Sequence, residues 1–206
     1  MRKLYLALVF LLISVFLLTA CDRTVDEIVL EIKKSGFYES DDWNYEVKEE
    51  FIYLLKYKGS ETNVTVPPFI EGFDILSIEP NTFANNTRIE SIILSNGITY
   101  IAANVFSGCD NLKSVTLPGT ITGIGLSAFS QCPALESVII ADGFTTVNNF
   151  MFLNCSQIKS ITLPDSVITI GADAFKGCSN LILKVGKDSF GHKYALENNI
   201  RFEIKD

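Results

Sequence analysis

Five phenylalanine residues recur at an identical spacing of 23 residues along this chain of 206 residues. They are Phe83, Phe106, Phe129, Phe152 and Phe175. A spacing that is held over five copies is an internal repeat, and a period of about 20 to 50 residues is typical of proteins that stack one structural unit on the next. One such unit cannot bury its own apolar face. The sequence therefore predicts a solenoid whose core runs through all the repeats.

Other positions keep the same spacing when the repeats are aligned on the phenylalanines. Further apolar columns lie at Ile75, Ile98, Ile121, Phe144 and Val167; at Ile78, Ile101, Ile124, Val147 and Ile170; and at Ile89, Leu112, Leu135, Ile158 and Leu181. Another column begins with Asn86 and continues as Cys109, Cys132, Cys155 and Cys178. Because these columns are almost purely apolar, we expect each to form a continuous strip of core.

One segment of each repeat has the pattern L-x-x-L-x-L, as in Leu-Lys-Ser-Val-Thr-Leu at residues 112–117. This pattern is typical of the strand in a leucine-rich repeat, so each copy should add one short strand to a parallel sheet. The residues around each phenylalanine are small and polar, and we expect one helical turn there that carries the ring inward. The predicted fold class is an α/β solenoid, with a short parallel sheet on one face, short helical turns on the other and a cap at both ends.

The repeats resemble those of the BspA-like leucine-rich-repeat surface proteins of bacteria. The resemblance is carried by SVTLPGTITGIGLSAFSQCPAL at residues 114–135 and SITLPDSVITIGADAFKGCSNL at residues 160–181, and it covers about residues 50–206. It implies a binding protein that is exposed on the cell surface or secreted and is often linked to adhesion. It implies no particular ligand.

The first 20 residues predict a targeting segment. Arg2 and Lys3 precede an apolar run from Leu4 to Leu18. The sequence Leu-Thr-Ala-Cys that ends at Cys21 resembles a bacterial lipobox, in which the cysteine is lipidated and becomes the mature N-terminus. An uncleaved transmembrane anchor is the alternative, although a span needs about 20 apolar residues. We predict a lipoprotein signal peptide over residues 1–20, a membrane anchor at Cys21 and a place in the bacterial cell envelope, at the surface or in the periplasm.

Charge argues against a nucleic-acid partner. The whole chain has a formal charge of −7, from 17 basic and 24 acidic residues. Removal of residues 1–20 takes away two basic residues and no acidic one, which leaves a formal charge of −9. An acidic surface repels phosphate backbones.

The remaining boundaries follow from local patterns. Residues 21–42 are the lipidated N-terminus, followed either by a spacer or by a cap helix at residues 25–34. Residues 43–63 should form a capping hairpin, since apolar residues alternate on both sides of a turn at residues 48–50. Residues 64–186 hold about five repeats. Residues 187–206 are the C-terminal cap, with a helix that begins after Ser189 and a closing strand from Ile200 to Ile204.

The four cysteines of the repeats occupy one apolar column. Equivalent atoms in neighbouring repeats would lie about 4.8 Å apart with parallel directions, whereas a disulfide needs Cβ atoms nearer to about 3.8 Å. We therefore predict buried free thiols. No histidine or acidic residue joins the column, so we predict neither a metal site nor a cofactor, and we expect His192 to be a surface residue of the C-terminal cap.

The x positions of L-x-x-L-x-L should face outward and provide the candidate binding face. Its members are Glu90, Lys113, Glu136 and Lys159 in one column and Ile93, Thr116, Ile139 and Thr162 in another. The alternating charges either favour correct register or form a polar stripe for a partner, and we favour the first interpretation. The Ile/Thr column is explained equally well by an interaction surface and by the ordinary preference of β-branched residues for strands.

Nothing in the sequence indicates an enzyme. Ser91, Ser114, Ser137 and Ser160 are four copies of one repeat position, and the single His192 has no identifiable nucleophilic partner. We expect a protein-binding or adhesion module whose partner belongs to a host or a neighbouring cell. The alternatives are an assembly role within the envelope and glycan binding, for which Trp43, Tyr45, Tyr53 and Tyr57 would be the aromatic candidates.

Overall fold

The computed structural model describes residues 36–205. Within them the first strands are β1 (Gly36–Glu39), β2 (Trp43–Lys48), β3 (Phe51–Tyr57), β4 (Asn63–Val66), β5 (Phe69–Ile70), β6 (Phe73–Ile78), β7 (Ser91–Leu94) and β8 (Tyr100–Ile101). They are followed by β9 (Ser114–Leu117), β10 (Gly123–Ile124), β11 (Ser137–Ile140), β12 (Thr146–Val147), β13 (Ser160–Thr162), β14 (Thr169–Ile170), β15 (Ile182–Val185), helix α1 (Phe190–Glu197) and β16 (Phe202–Ile204).

The L-x-x-L-x-L segments lie in a seven-stranded parallel sheet, which we call sheet 1. Its strand order is β16-β15-β13-β11-β9-β7-β4. The pairing keeps the repeat register, because Ser91 pairs with Ser114, Ser114 with Ser137, and Ser137 with Ser160. Each repeat therefore places the same sequence position beside its copy in the next repeat, as the columns predicted.

A second set of strands lies on the other side of the core. Sheet 2 has the order β1-β2-β3-β6-β8-β10, with β5 paired to β6, and β12 pairs with β14 as a separate parallel pair. In the repeats these strands are only two residues long, as in Tyr100–Ile101. The sequence pattern did not predict these strands. Their buried residues, such as Ile101, belong to an apolar column that was predicted as core but not as a strand.

The residues around the phenylalanines form hydrogen-bonded turns, and the described repeats contain no helical turn there. Ser107 N–H donates to the carbonyl of Asn104 at 3.1 Å and Cys109 N–H to that of Phe106 at 3.3 Å. Asn104 has φ 58° and Gly108 has φ 71°. Left-handed residues at such short intervals cannot continue a right-handed helix. The expected helical face is therefore replaced by turns and two-residue strands.

At the N-terminal end, β2 and β3 form an antiparallel hairpin in which Lys48 pairs with Phe51. Glu49 (φ 48°) and Glu50 (φ 69°) supply the two left-handed residues of its turn, the arrangement that matches the twist of a tight hairpin. The possible helix at residues 25–34 lies outside the described residues. Gly36–Glu39, which we had placed in the N-terminal spacer or cap helix, instead form β1 and extend sheet 2 beside β2.

At the C-terminal end, β15 and β16 continue sheet 1 beyond the regular repeats. Between them, α1 begins after Ser189, whose side chain accepts a hydrogen bond from the backbone N–H of His192 at 3.2 Å. This is the helix start that the sequence predicted. His192 is half-buried rather than a free surface residue, since its ring lies 4.8 Å from that of Phe202 and its Nδ1 accepts from the backbone of Asp188 at 3.1 Å.

The five phenylalanines form one continuous stack at the centre of the core. Ring centroids lie 4.9 Å apart from Phe83 to Phe106 and from Phe106 to Phe129, then 5.6 Å to Phe152 and 5.8 Å to Phe175. Aromatic residues from outside the repeats close the stack: Trp43 and Tyr57 contact Phe83, and Tyr194 contacts Phe175 at 6.2 Å. The stack therefore joins the hairpin, the repeats and α1 in one core.

Candidate binding surface

The strands of sheet 1 divide each repeat into a buried and an exposed side. In β9, Val115 and Leu117 are buried, whereas Ser114 and Thr116 are half-buried. Successive side chains of a strand point to opposite faces. The structure therefore brings the predicted outward residues together on one face of sheet 1, which we call the sheet 1 face.

One row of the sheet 1 face consists of β-branched residues. Thr65 pairs with Ile93, Ile93 with Thr116, and Thr116 with Ile139, while Thr162 continues the row to Lys184. The isoleucines are well exposed, Ile93 at 48% and Ile139 at 57%. The fold does not need these methyl groups in its core, so they are available to a partner.

A second row consists mainly of serines. It runs Asn63, Ser91, Ser114, Ser137, Ser160 and ends at Ile182. The hydroxyl of Ser91 donates to Oδ1 of Asn63 at 2.6 Å. These serines occupy an x position of L-x-x-L-x-L, which we expected to face outward, although we did not count them among the members of the candidate binding face. The structure places them on the sheet 1 face, and the signal that could have identified them was their shared 23-residue spacing.

The charged residues of the face are paired with each other. Lys113 Nζ lies 2.8 Å from Glu90 Oε2, and Lys159 Nζ lies 3.3 Å from Glu136 Oε2. Each pair joins neighbouring repeats, as the alternating column predicted. The side chain of Lys113 is 56% exposed and that of Glu90 is 46% exposed, so solvent screens the pair. The pairs balance the charge of the face without making it acidic or basic.

The thiols of the repeats lie inside the core. Cys109, Cys132, Cys155 and Cys178 are free and buried, as predicted. Burial raises the pKa of the Cys109 thiol to about 12 and that of Cys178 to about 11. The pKa of Cys132 is also raised, first by the neighbouring Cys155 thiol and then by burial. Thiols held in the neutral form are poor nucleophiles and poor metal ligands.

Within residues 36–205, no group of three or more His, Cys, Asp or Glu residues converges to hold a metal ion. The same part of the chain has no helix with the length and apolar composition of a membrane span. Cys21, the predicted lipidation site, lies outside the described residues.

The aromatic residues that we considered for glycan binding face the core for the most part. Trp43 is 7% exposed, Tyr45 is 1% exposed and Tyr57 is 6% exposed. Tyr53 is half-buried, and Lys48 Nζ lies 5.1 Å from its ring centroid. Trp43, Tyr45 and Tyr57 therefore form the N-terminal part of the core and offer no ring face to a sugar.

Repeats of this spacing, with parallel strands in register and an L-x-x-L-x-L face, define a leucine-rich-repeat solenoid. The model of the BspA type leucine rich repeat region matches the chain in six copies over residues 76–198. The chain therefore belongs to the family of bacterial BspA-type leucine-rich-repeat proteins. The match has six copies, where we expected about five over residues 64–186, and it extends to residue 198 in the C-terminal cap.

Solved structures share this fold. The leucine-rich repeat protein of T. pallidum is 22% identical, with a TM-score of 0.67 over 72% of this chain and 71% of that protein. A leucine rich cell surface protein of Faecalibacterium prausnitzii is 22% identical, with a TM-score of 0.51 over 76% of this chain and 56% of that protein. The pneumococcal vaccine antigen PcpA is 15% identical, with a TM-score of 0.53 over 74% of this chain and 50% of that protein. This chain thus spans about half the length of the latter two. A comparison with curated proteins found no significant match.

Proposed function

We propose that this chain is a lipid-anchored binding protein of the bacterial cell envelope, and that it engages a partner protein at the cell surface through the sheet 1 face. The observation that carries the proposal is the composition of that face. Five of the parallel strands, β4, β7, β9, β11 and β13, present the serine and Ile/Thr rows, and the neighbouring charges are already paired. An extended surface with exposed apolar side chains and few unpaired charges is typical of a protein interface.

The bacterial relatives support a surface location. The F. prausnitzii protein is described as a cell surface protein, and PcpA is described as a pneumococcal vaccine antigen. The lipobox-like sequence that ends at Cys21 supplies a route to the envelope without a membrane-spanning helix. A binding protein that is exposed on the cell surface can contact a partner on a host or neighbouring cell, and we propose this contact as its activity.

The lipid anchor is tested by measuring how the protein partitions between the detergent-rich and the aqueous phase of membrane extracts. Wild-type protein should enter the detergent-rich phase because of its acyl chains, and Cys21→Ala should not be lipidated. Wild-type protein in the aqueous phase would contradict the anchor without affecting the binding proposal.

The binding face is tested by charge insertion. We expect the variant that combines Ile93→Glu and Ile139→Glu to bind intact animal or bacterial target cells at least about tenfold more weakly than wild type, since burying unpaired carboxylates opposes association. Ile168→Glu is the matched control, because Ile168 is 67% exposed but lies directly before β14, outside sheet 1. Equal binding by both variants would show that the sheet 1 face is not the interface.

The assembly alternative gives a different result. Chemical cross-linking in intact cells would then join the protein to another envelope component through the sheet 1 face, and purified protein would not bind any target cell.

A further inference from the structure

Three exposed aromatic residues of the N-terminal hairpin and the repeats lie on sheet 2 rather than on the sheet 1 face. Phe51 is 39% exposed, Phe69 is 57% exposed and Tyr100 is 46% exposed, and they belong to β3, β5 and β8 of sheet 2. The described residues of the serine and Ile/Thr rows include no aromatic side chain. The two sheets therefore present surfaces of different chemistry.

Phe51, Asp74 and Phe69 form a row across three strands of sheet 2. Phe51 of β3 pairs with Asp74 of β6, and Asp74 pairs on its other side with Phe69 of β5. Laterally paired residues point to the same face and lie about 5 Å apart. All three side chains are exposed. We call this arrangement the Phe–Asp–Phe row: a carboxylate flanked by two phenyl rings.

The fold itself does not require this row. Ile52 and Ile75, the next residues of β3 and β6, point the other way and are fully buried, so they supply the packing of this part of the sheet. The carboxylate of Asp74 makes no hydrogen bond or ion pair with any of the residues described here. The row thus leaves two apolar rings and an uncompensated negative charge in solvent.

This chemistry fits a planar cation. An arginine guanidinium donates two parallel hydrogen bonds to one carboxylate and stacks its faces on aromatic rings, which an ammonium group does less well. The surroundings reinforce the preference for a cation. Glu49 and Glu50 precede Phe51, whereas the nearby Lys48 is already paired with Glu46 at 2.8 Å. The local negative charge disfavours the anionic surface of a bacterial membrane as the occupant.

We infer that the Phe–Asp–Phe row binds an arginine-bearing segment of a partner protein, with the guanidinium paired to Asp74 and stacked against Phe51 and Phe69. This surface is separate from the sheet 1 face. Its use does not depend on the function proposed for sheet 1, and a partner that reaches both sheets would gain affinity from two contacts.

The test uses the purified protein and three fluorescent peptides that alternate glycine with arginine, with lysine or with citrulline, the neutral analogue of arginine. Fluorescence anisotropy should show the tightest binding for the arginine peptide, at least several-fold weaker binding for lysine and none for citrulline. Asp74→Asn should weaken arginine binding about tenfold or more, whereas Asp110→Asn, an exposed aspartate in a repeat turn, should leave it unchanged.

The aromatic contribution is tested with the double variant Phe51→Ala and Phe69→Ala. It should lose the preference for arginine over lysine while retaining the charge-driven part of binding, and its melting temperature should stay close to that of wild type because both rings are exposed. Phe190→Ala, which removes a ring that is 41% exposed on α1, is the matched control.

Two results would overturn the inference. The first result is that the arginine and lysine peptides bind equally well and that Asp74→Asn does not change their binding. This result would indicate only a diffuse attraction to an acidic surface. The second result is that wild type binds vesicles of phosphatidylcholine and phosphatidylglycerol but not the arginine peptide, and that the double phenylalanine variant loses the vesicle binding. This result would assign the rings to a membrane contact. Neither result bears on the Ile93 and Ile139 variants of the sheet 1 face.

Discussion

The thiol of Cys132 donates a hydrogen bond to the backbone carbonyl of Phe106, 3.1 Å away in the preceding repeat. The same bond recurs at each cysteine: Cys109 to Phe83 at 3.2 Å, Cys155 to Phe129 at 3.0 Å and Cys178 to Phe152 at 3.1 Å. Each cysteine thus satisfies a buried carbonyl of its neighbour while filling a small apolar space. We had predicted only the second role.

We predict that Cys132→Ala lowers the free energy of unfolding by about 1–3 kcal/mol, because it removes a buried hydrogen bond and leaves a small cavity. Cys178→Ala is the control at the end of the column, where the residue is 9% exposed and solvent can replace part of the lost contact. Urea unfolding should show the larger loss for Cys132. An unchanged free energy of unfolding for Cys132→Ala would contradict a stabilising role for the hydrogen bond.

The raised thiol pKa values predict how stability changes in alkaline solution. An unfolded thiol ionises near 9.0, whereas the folded pKa is about 12 for Cys109 and about 11 for Cys178. Below pH 9 both states keep the proton and the full contribution to stability is present. Above pH 9 the unfolded state loses its proton first, so stability falls until the folded thiols also ionise, near pH 11 for Cys178 and pH 12 for Cys109.

The measurement for this prediction is urea unfolding of wild type and of the double variant Cys109→Ala and Cys178→Ala at several pH values from 8 to 11. Lysine and tyrosine groups titrate in both proteins, so the difference between the two curves isolates the thiols. That difference should be constant below pH 9 and should shrink above it. A difference that grows above pH 9 would show that the thiolates are stabilised in the fold.

The centre of the aromatic stack should be the most sensitive part of the core. Phe129 is fully buried between Phe106 and Phe152, and we expect Phe129→Ala to cost about 3–5 kcal/mol in the free energy of unfolding. Phe129→Leu should cost less because it leaves a smaller cavity. Thermal unfolding followed by circular dichroism gives both values, and an unchanged melting temperature for Phe129→Ala would contradict a continuous stack.

Gly125 is required by the close approach of two repeats. A Cβ atom at this position would lie 2.2 Å from the backbone nitrogen of Ala103 and 2.4 Å from the carbonyl carbon of Ala102. Backbone atoms cannot move aside as a flexible side chain can, so Gly125→Ala should destabilise the protein by about 1–3 kcal/mol or more. Leu126→Ala, at the neighbouring residue that is 48% exposed, should have little effect on the same denaturation curve. If the two variants were equally stable, the repeats would be packed less closely at this point.

The parts of the fold that the sequence predicts are those in which one residue type recurs at one spacing. Phe129 could be assigned to the core because four other phenylalanines share its column, and Cys132 because three other cysteines share its column. The hairpin and the helix after Ser189 were readable from alternation and from a capping residue. These signals are local, and they do not depend on the pairing of distant strands.

The remaining features depend on pairing that no local pattern shows. A two-residue strand such as Gly123–Ile124 is too short to display alternation, so sheet 2 was not predicted within the repeats. The Phe–Asp–Phe row joins Phe51 to Asp74, which lies beyond an inserted loop, and the pairing of β3 with β6 shifts in register just after Ile52. The serines were expected at an outward position of the repeat but were not assigned to a row of the binding face, because only the strand register places Ser114 between Ser91 and Ser137.

The most direct test of the proposed function is protease digestion of intact cells, read with an antibody against residues 36–205. Surface display of the sheet 1 face predicts that the signal is lost before the cells are lysed, while a cytoplasmic marker stays intact. Full protection in intact cells, with digestion only after the envelope is opened, would contradict binding to a host or neighbouring cell and would place the partner inside the envelope.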